Sequence, residues 1–266
     1  MTDVTAAGAA GTTEASSSAP PAAVRLSGID KVFPGNVGLP PVLENVSLTV
    51  APGEFVTLRG ASGCGKPTLL SIIAGLEQPT NGTVEVDGRP GLMFQESALF
   101  PWLSAGKNVE LALKLRGVPR GERRAEAESL LERVNLKGTY DKRIHELSGG
   151  MRQRVALARS LGQESSVLLM DEPFAALDAI TRDVLHEELV RVWSESKMSV
   201  VFVTHNVREA ARLAQRVLLM SSRPGRFVRE WKVDIPQPRR IEAPDVSELA
   251  GEITNDLRKE ISRHAK

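Results

Sequence analysis

One cysteine, Cys64, occurs in the whole chain, which excludes an internal disulfide framework and fits a reducing compartment. No apolar run approaches the roughly 18 residues that a spanning helix needs, so work at a membrane would require another component to hold the protein there. Charge of one sign is not in excess either. Lys+Arg 34 against Asp+Glu 33 leaves +1, so bulk electrostatics give no reason to expect nucleic acid or anionic lipid as a partner. The start lacks the positively charged opening and long apolar centre expected of a secretory leader, and no internal repeat is visible. With 25% charged and 41% hydrophobic residues, 266 positions suffice for a soluble core in one large domain or two modest ones.

Residues 1–23 are mostly Ala, Thr, Ser, Gly and Pro with few large apolar side chains, a composition expected to form a disordered tail. From Val24 the chain reads as short strands with turn signals between them: Val24–Leu26, Val46–Val50, Phe55–Leu58 and Thr83–Val86, interrupted by a helix at about Thr68–Gly75. Residues from about 98 to 150 change character. Val109, Leu111, Leu113 and Leu115, then Leu130, Leu131, Val134 and Leu136, lie among charged residues and predict a helical insertion. Helix and strand then alternate: helices near Gly149–Leu161, Ile180–Ser194 and Val207–Ala214 precede the apolar runs Val167–Met170, Val200–Val203 and Val217–Met220. Such alternation predicts βαβ units and a largely parallel sheet covered on both faces. Arg226–Val233 reads as a terminal strand pair, Pro236–Pro244 as a linker and Val246–Arg263 as an amphipathic helix. The expected domain therefore covers 24–235, with a linker and helix over 236–266.

The run Gly60-Ala61-Ser62-Gly63-Cys64-Gly65-Lys66-Pro67-Thr68 has the G-x-x-x-x-G-K spacing of a phosphate-binding loop between a strand and a helix. Its glycines let consecutive N–H groups turn toward phosphate oxygens, and its lysine neutralises their charge. The next position normally carries Ser or Thr, whose hydroxyl ligates Mg²⁺; here it is Pro67. Proline has neither a hydroxyl nor an N–H, although a first helical turn accommodates it sterically. The loop is expected to fold well and to bind MgATP weakly. Cys64 reads as a small filler within it.

The strand Val167-Leu168-Leu169-Met170 ends in Asp171-Glu172. An Asp at the mouth of a parallel strand can hold Mg²⁺ beside such a loop, and the adjacent Glu172 can polarise an attacking water. Ser148-Gly149-Gly150 opens a helix and so forms a second anion cradle of free N–H groups. Taken with the helix Met151-Arg152-Gln153-Arg154-Val155-Ala156-Leu157-Ala158-Arg159, the run Leu147-Ser148-Gly149-Gly150 resembles the signature of ATP-binding-cassette ATPases. The resemblance covers about residues 24–233.

It implies an α/β P-loop NTPase with a mostly parallel central sheet, an antiparallel β subdomain and a helical insertion, acting with ATP and Mg²⁺. Phe33 resembles the aromatic on which adenine stacks. Gln95, in Leu92-Met93-Phe94-Gln95-Glu96, matches the glutamine that meets Mg²⁺ and links the site to the transporter partner. Asp178 belongs to a segment resembling the subunit-contact loop, and His205 matches the switch histidine at the γ-phosphate. In the family two copies sandwich two nucleotides head to tail. Each site would join the P-loop, Asp171, Glu172 and His205 of one copy to Ser148, Gly149 and Gly150 of the other. A homodimer on the cytoplasmic face of the bacterial inner membrane is therefore implied. It would move permease subunits and act indirectly with a substrate-binding protein, without nucleic acid. Phe100-Pro101-Trp102 and Ser221-Ser222-Arg223-Pro224-Gly225 resemble the importer branch for nitrate, taurine and aliphatic sulfonates; Trp102 is equally readable as a core aromatic. Two alternatives stay open, a regulatory cassette subunit that does not hydrolyse and a soluble non-transport cassette. The absence of an Asn-Lys-x-Asp guanine reader argues against a GTPase.

Overall fold

The computed structural model describes residues 21–34 and 40–264; the tail expected over 1–23 lies outside them except for its last three residues. Strands β1 (Val24–Lys31) and β2 (Leu43–Val50) are followed by β3 (Phe55–Gly60), α1 (Lys66–Ile73), β4 (Asn81–Val86) and β5 (Pro90–Met93). Helices α2 (Ala105–Arg116) and α3 (Arg123–Arg133) and a short 3₁₀ turn (Ile144–Glu146) lead to α4 (Gly149–Leu161). The chain continues through β6 (Val167–Asp171), α5 (Ala179–Glu195), β7 (Ser199–Val203), α6 (Val207–Leu213), β8 (Arg216–Met220), β9 (Phe227–Lys232) and α7 (Pro244–His264).

Two sheets result. An antiparallel sheet has the order β2-β1-β4, and a six-stranded sheet the order β5-β6-β7-β3-β8-β9, parallel except for β9. Ala23, at the end of the expected tail, is buried and donates its N–H to the Val50 carbonyl at 2.8 Å, so the ordered sheet begins there. Side chains alternate along the central strands and split them between two cores. Phe55, Leu168, Met170, Val200 and Phe202 face the core shared with α2–α5, whereas Val56, Leu58, Leu169, Val201 and Val203 face α1 and the antiparallel sheet. Burial on both faces is why these strands read as continuous apolar runs.

Two expectations need correction. Arg226–Val233 is not a strand pair; it supplies the single strand β9, which finds its antiparallel partner in β8. Pro90–Met93, with a proline and a glycine among its four residues, gave no strand signal, yet it forms β5. That strand lies at the sheet edge, with Pro90 as its first residue, where the missing N–H removes no interior ladder bond. The segment expected as a linker over 236–244 has no helix or strand before α7 begins at Pro244, and it is packed against the fold. Arg239 is buried, and its guanidinium donates to the carbonyls of Ala211 and Ala214 at the end of α6 and to those of Val233 and Ile235. The segment thereby seals the C-terminus of α6, against which α7 packs through Val246 and Ala250.

Candidate nucleotide site

Strand register sets the site. Val203 is the lateral partner of both Asp171 on β6 and Leu58 on β3. Glu172, Thr204 and Arg59 consequently stand one step beyond a common row, at the C-terminal edge of the parallel strands. That edge is where open α/β sheets bind ligands. Gly60 and the phosphate loop leave from the same edge.

The loop closes tightly. Gly65 caps α1 in the left-handed region at φ 92°, and a Cβ there would sit 2.7 Å from Leu43 Cδ2, so glycine is needed both for conformation and for space. Gly225 performs a second close approach, since a Cβ there would lie 2.2 Å from the Cys64 carbonyl. The Ser221–Gly225 turn thus packs directly under the loop, a placement the sequence did not suggest. Cys64 is fully buried, in keeping with a filler. Lys66 is almost fully buried and its ammonium donates to the carbonyls of Gly60 at 2.9 Å and Ala61 at 3.1 Å, with Cys64 Sγ at 3.4 Å. The cation is therefore held inside the curl of the loop, while Ser62, Gly63 and Pro67 are exposed and Thr68 half-buried.

Asp171 is half-buried at the end of β6. Burial, then the neighbouring Glu172 carboxylate, pushes its carboxyl above the ordinary aspartate range, against the pull of Lys66 and His205. Asp171, beside a second carboxylate and within the field of Lys66, is a donor that a divalent cation would relieve. Pro67 supplies no hydroxyl to it, and no group of three or more His, Cys, Asp or Glu among the described residues would hold a metal without other ligands. The residues thus fit Mg²⁺ as a companion of a bound triphosphate, with one ligand position fewer than the motif allows.

Glu172 takes φ 46°, unusual for a side chain with a Cβ, and its N–H is fixed to the Val203 carbonyl at 2.9 Å. This extends the ladder by one rung and turns the carboxylate into contact with His205 Nε2. A cleft of about 440 Å³ opens beside them, lined also by Ala175, Arg182, Thr204 and Glu209. Lys66, Asp171, Glu172 and His205, far apart in sequence, are therefore brought together.

Other candidates lie elsewhere. Ser148 caps α4, its hydroxyl accepting from the Met151 N–H at 3.2 Å, and Ser148 and Gly149 are exposed and outside the cleft. Gly150 is buried against Thr181, because a Cβ there would meet Thr181 Cγ2 at 2.5 Å. Asp178 caps α5 through the Thr181 N–H at 3.0 Å and is exposed. Gln95 is exposed, with its carbonyl accepting from Gln153 Nε2 of α4 at 2.8 Å. Phe33 is half-buried on the antiparallel-sheet side, with the Lys31 ammonium 4.8 Å from its ring centroid. Trp102 is 67% exposed beside Phe100, which overturns its reading as a core aromatic. His145 is exposed and His186 buried. The sequence reading missed Arg59, Arg182 and Glu209, which lack motif spacing and become visible only through their packing around the site, Arg59 and Glu209 buried and Arg182 half-buried. No helix among the described residues is long and apolar enough to cross a membrane.

Residues 43–175 match the family model described as ABC transporter. The chain is 47% identical over 214 residues to the taurine import ATP-binding protein TauB of Burkholderia pseudomallei, covering 77% of this chain and 82% of that one. It is 45% identical over 221 residues to the nitrate import ATP-binding protein NrtD of Synechocystis sp., covering 80% and 83%. Among solved structures, the dimeric post-hydrolysis state of an ATP-binding cassette bound to ADP and Pi superposes with TM-score 0.70 at 33% identity, covering 80% of this chain and all of that one.

Proposed function

Because the chain belongs to the ABC transporter family of ATP-binding subunits, we propose that it hydrolyses ATP as a head-to-tail homodimer to drive import of a small oxyanion or organic sulfonate through a separate permease. One observation carries this reading: the Lys66 ammonium, the Asp171 and Glu172 carboxylates and the His205 imidazole converge at the ends of β3, β6 and β7. Ser148 and Gly149 are meanwhile exposed at the start of α4 and outside that cleft, where the N–H groups of the turn would serve a second copy. Relatives named for nitrate and taurine import support the substrate class, and the dimeric solved cassette supports the pairing.

In this reading Lys66 and the loop amides between Gly60 and Thr68, Pro67 excepted, bind the phosphates, and Phe33 stacks on the base. Glu172 accepts a proton from the attacking water, and His205 contacts the terminal phosphate. Asp171 and Gln95 would hold Mg²⁺, which supplies charge neutralisation to the phosphates when bound. Asp178 would meet the partner copy. The expected location is the cytoplasmic face of the membrane, held by the permease through the helical insertion and the Gln95 loop.

The test is oligomeric state. Glu172→Gln should lose ATP turnover by about 10²-fold or more, as removal of a general base does. With ATP it should elute as a dimer, and adding Ser148→Arg should return it to monomer while ATP still binds. A Glu172→Gln chain that stays monomeric with ATP bound would sink the head-to-tail sandwich.

A further inference from the structure

Behind His205 lies a buried ionic cluster that the proposed chemistry does not use. Glu209 of α6 is only 4% exposed. Its carboxylate accepts from the Thr204 hydroxyl and faces Arg182 Nε at 3.5 Å and His186 Nε2 at 3.4 Å. Burial raises the carboxyl's pKa, but the neighbouring His186 ring, then the Thr204 hydroxyl and the Arg182 guanidinium, hold it below the ordinary range. An anion kept inside a protein against its desolvation is held by, and in turn holds, its partners.

Those partners lead to two segments. On one side Thr204, the residue before His205, accepts from the Asn206 N–H at 2.9 Å through its hydroxyl. Its carbonyl accepts from Arg59 Nη1 at 2.6 Å. Arg59 is itself buried and pushed down to about 10, and it stands immediately before Gly60 of the phosphate loop. On the other side Arg182 donates to the carbonyls of Phe174 at 3.2 Å and Leu177 at 2.7 Å, within the segment that runs from Glu172 to the exposed Asp178. A single carboxylate thus joins the turn bearing His205 to the loop bearing Asp178.

We propose that Glu209 is a positioning residue: through Thr204 and Arg182 it fixes His205 relative to the Glu172–Asp178 segment, so that the site turns over only when both are in register. This rests on the reading of His205 given above. Placement errors of about 1 Å at a reacting group can cost up to about 10²-fold in rate, whereas nucleotide held chiefly by the loop amides is little affected.

The experiment compares His205→Ala, Glu209→Gln and the double variant in the full chain assembled with its permease, reading kcat and ATP affinity separately. Glu209→Gln should lower kcat about ten-fold or more and leave ATP affinity within about two-fold. The double variant should be no slower than His205→Ala, because Glu209 acts through His205. Thr204→Val, which removes only the hydroxyl at constant volume, should reproduce the kcat loss if Glu209→Gln does not fold. Additive losses in the double variant, an unchanged kcat, or ATP affinity falling in step with kcat would each overturn the proposal. If His205→Ala itself leaves kcat unchanged, the reading of His205 has failed, and this inference with it. A kcat lost in His205→Ala but kept in Glu209→Gln and Thr204→Val sinks this inference alone.

Discussion

Replacing Pro67 by serine should raise MgATP affinity about 10- to 100-fold. Gly65 caps α1, and the first intrahelical bond runs from the Leu69 N–H to the Gly65 carbonyl at 2.9 Å. Three positions precede Leu69 in the first turn, and only Lys66 and Thr68 carry an N–H to offer a phosphate. One charge-assisted hydrogen bond is worth about 1.5–3 kcal/mol, which gives the stated range before any contribution from the hydroxyl to the metal. The free protein should move the other way. Proline fixes φ near the helical value, so its removal should cost the nucleotide-free chain up to about 1 kcal/mol, or about 2–4 °C in Tm. Pro67→Ala separates the two losses, restoring the amide without the hydroxyl. It should recover part of the affinity, and only serine should also lower the Mg²⁺ concentration needed for turnover. The assay is equilibrium MgATP binding with steady-state hydrolysis by the assembled complex. Equal affinities and rates for the proline, alanine and serine forms would refute the reasoning.

Two further outcomes can be checked on the isolated chain. Phe33→Ala should weaken ATP binding about 5-fold or more, since base stacking on an aromatic contributes about 1–3 kcal/mol. Unchanged affinity would remove Phe33 from the site. Arg239→Ala should destabilise the fold by about 3 kcal/mol or more in urea unfolding, because it strands the Ala211 and Ala214 carbonyls at the end of α6 and those of Val233 and Ile235 after β9. A change below about 0.5 kcal/mol would mean water replaces those bonds.

Local conformations were legible where the residue types permit few alternatives. Ser148 before two glycines and a periodic helix located α4 at Gly149–Leu161, the bounds the structure has. The apolar runs of β6, β7 and β8 were equally readable, because strands covered on both faces tolerate little else. β5 was not legible, since its Pro90 and Gly91 signal a turn and only an edge position makes them a strand. β9 was misread because its partner is β8, a strand already formed upstream.

Spacing along the chain thus picked out the candidate groups: a G-x-x-x-x-G-K loop, a carboxylate pair, a glycine turn opening a helix, and a histidine at a strand end. Motifs of this kind are encoded within a few residues, where φ/ψ limits and hydrogen-bond valence act directly. Assembly of the site needed the three-dimensional order β6-β7-β3, which follows from burying two cores on opposite faces of one sheet. The same packing alone brought Arg59, Arg182 and Glu209 together behind His205. A charge is held in such a place only when elements from distant parts of the chain exclude water around it, and no local pattern of residues records that.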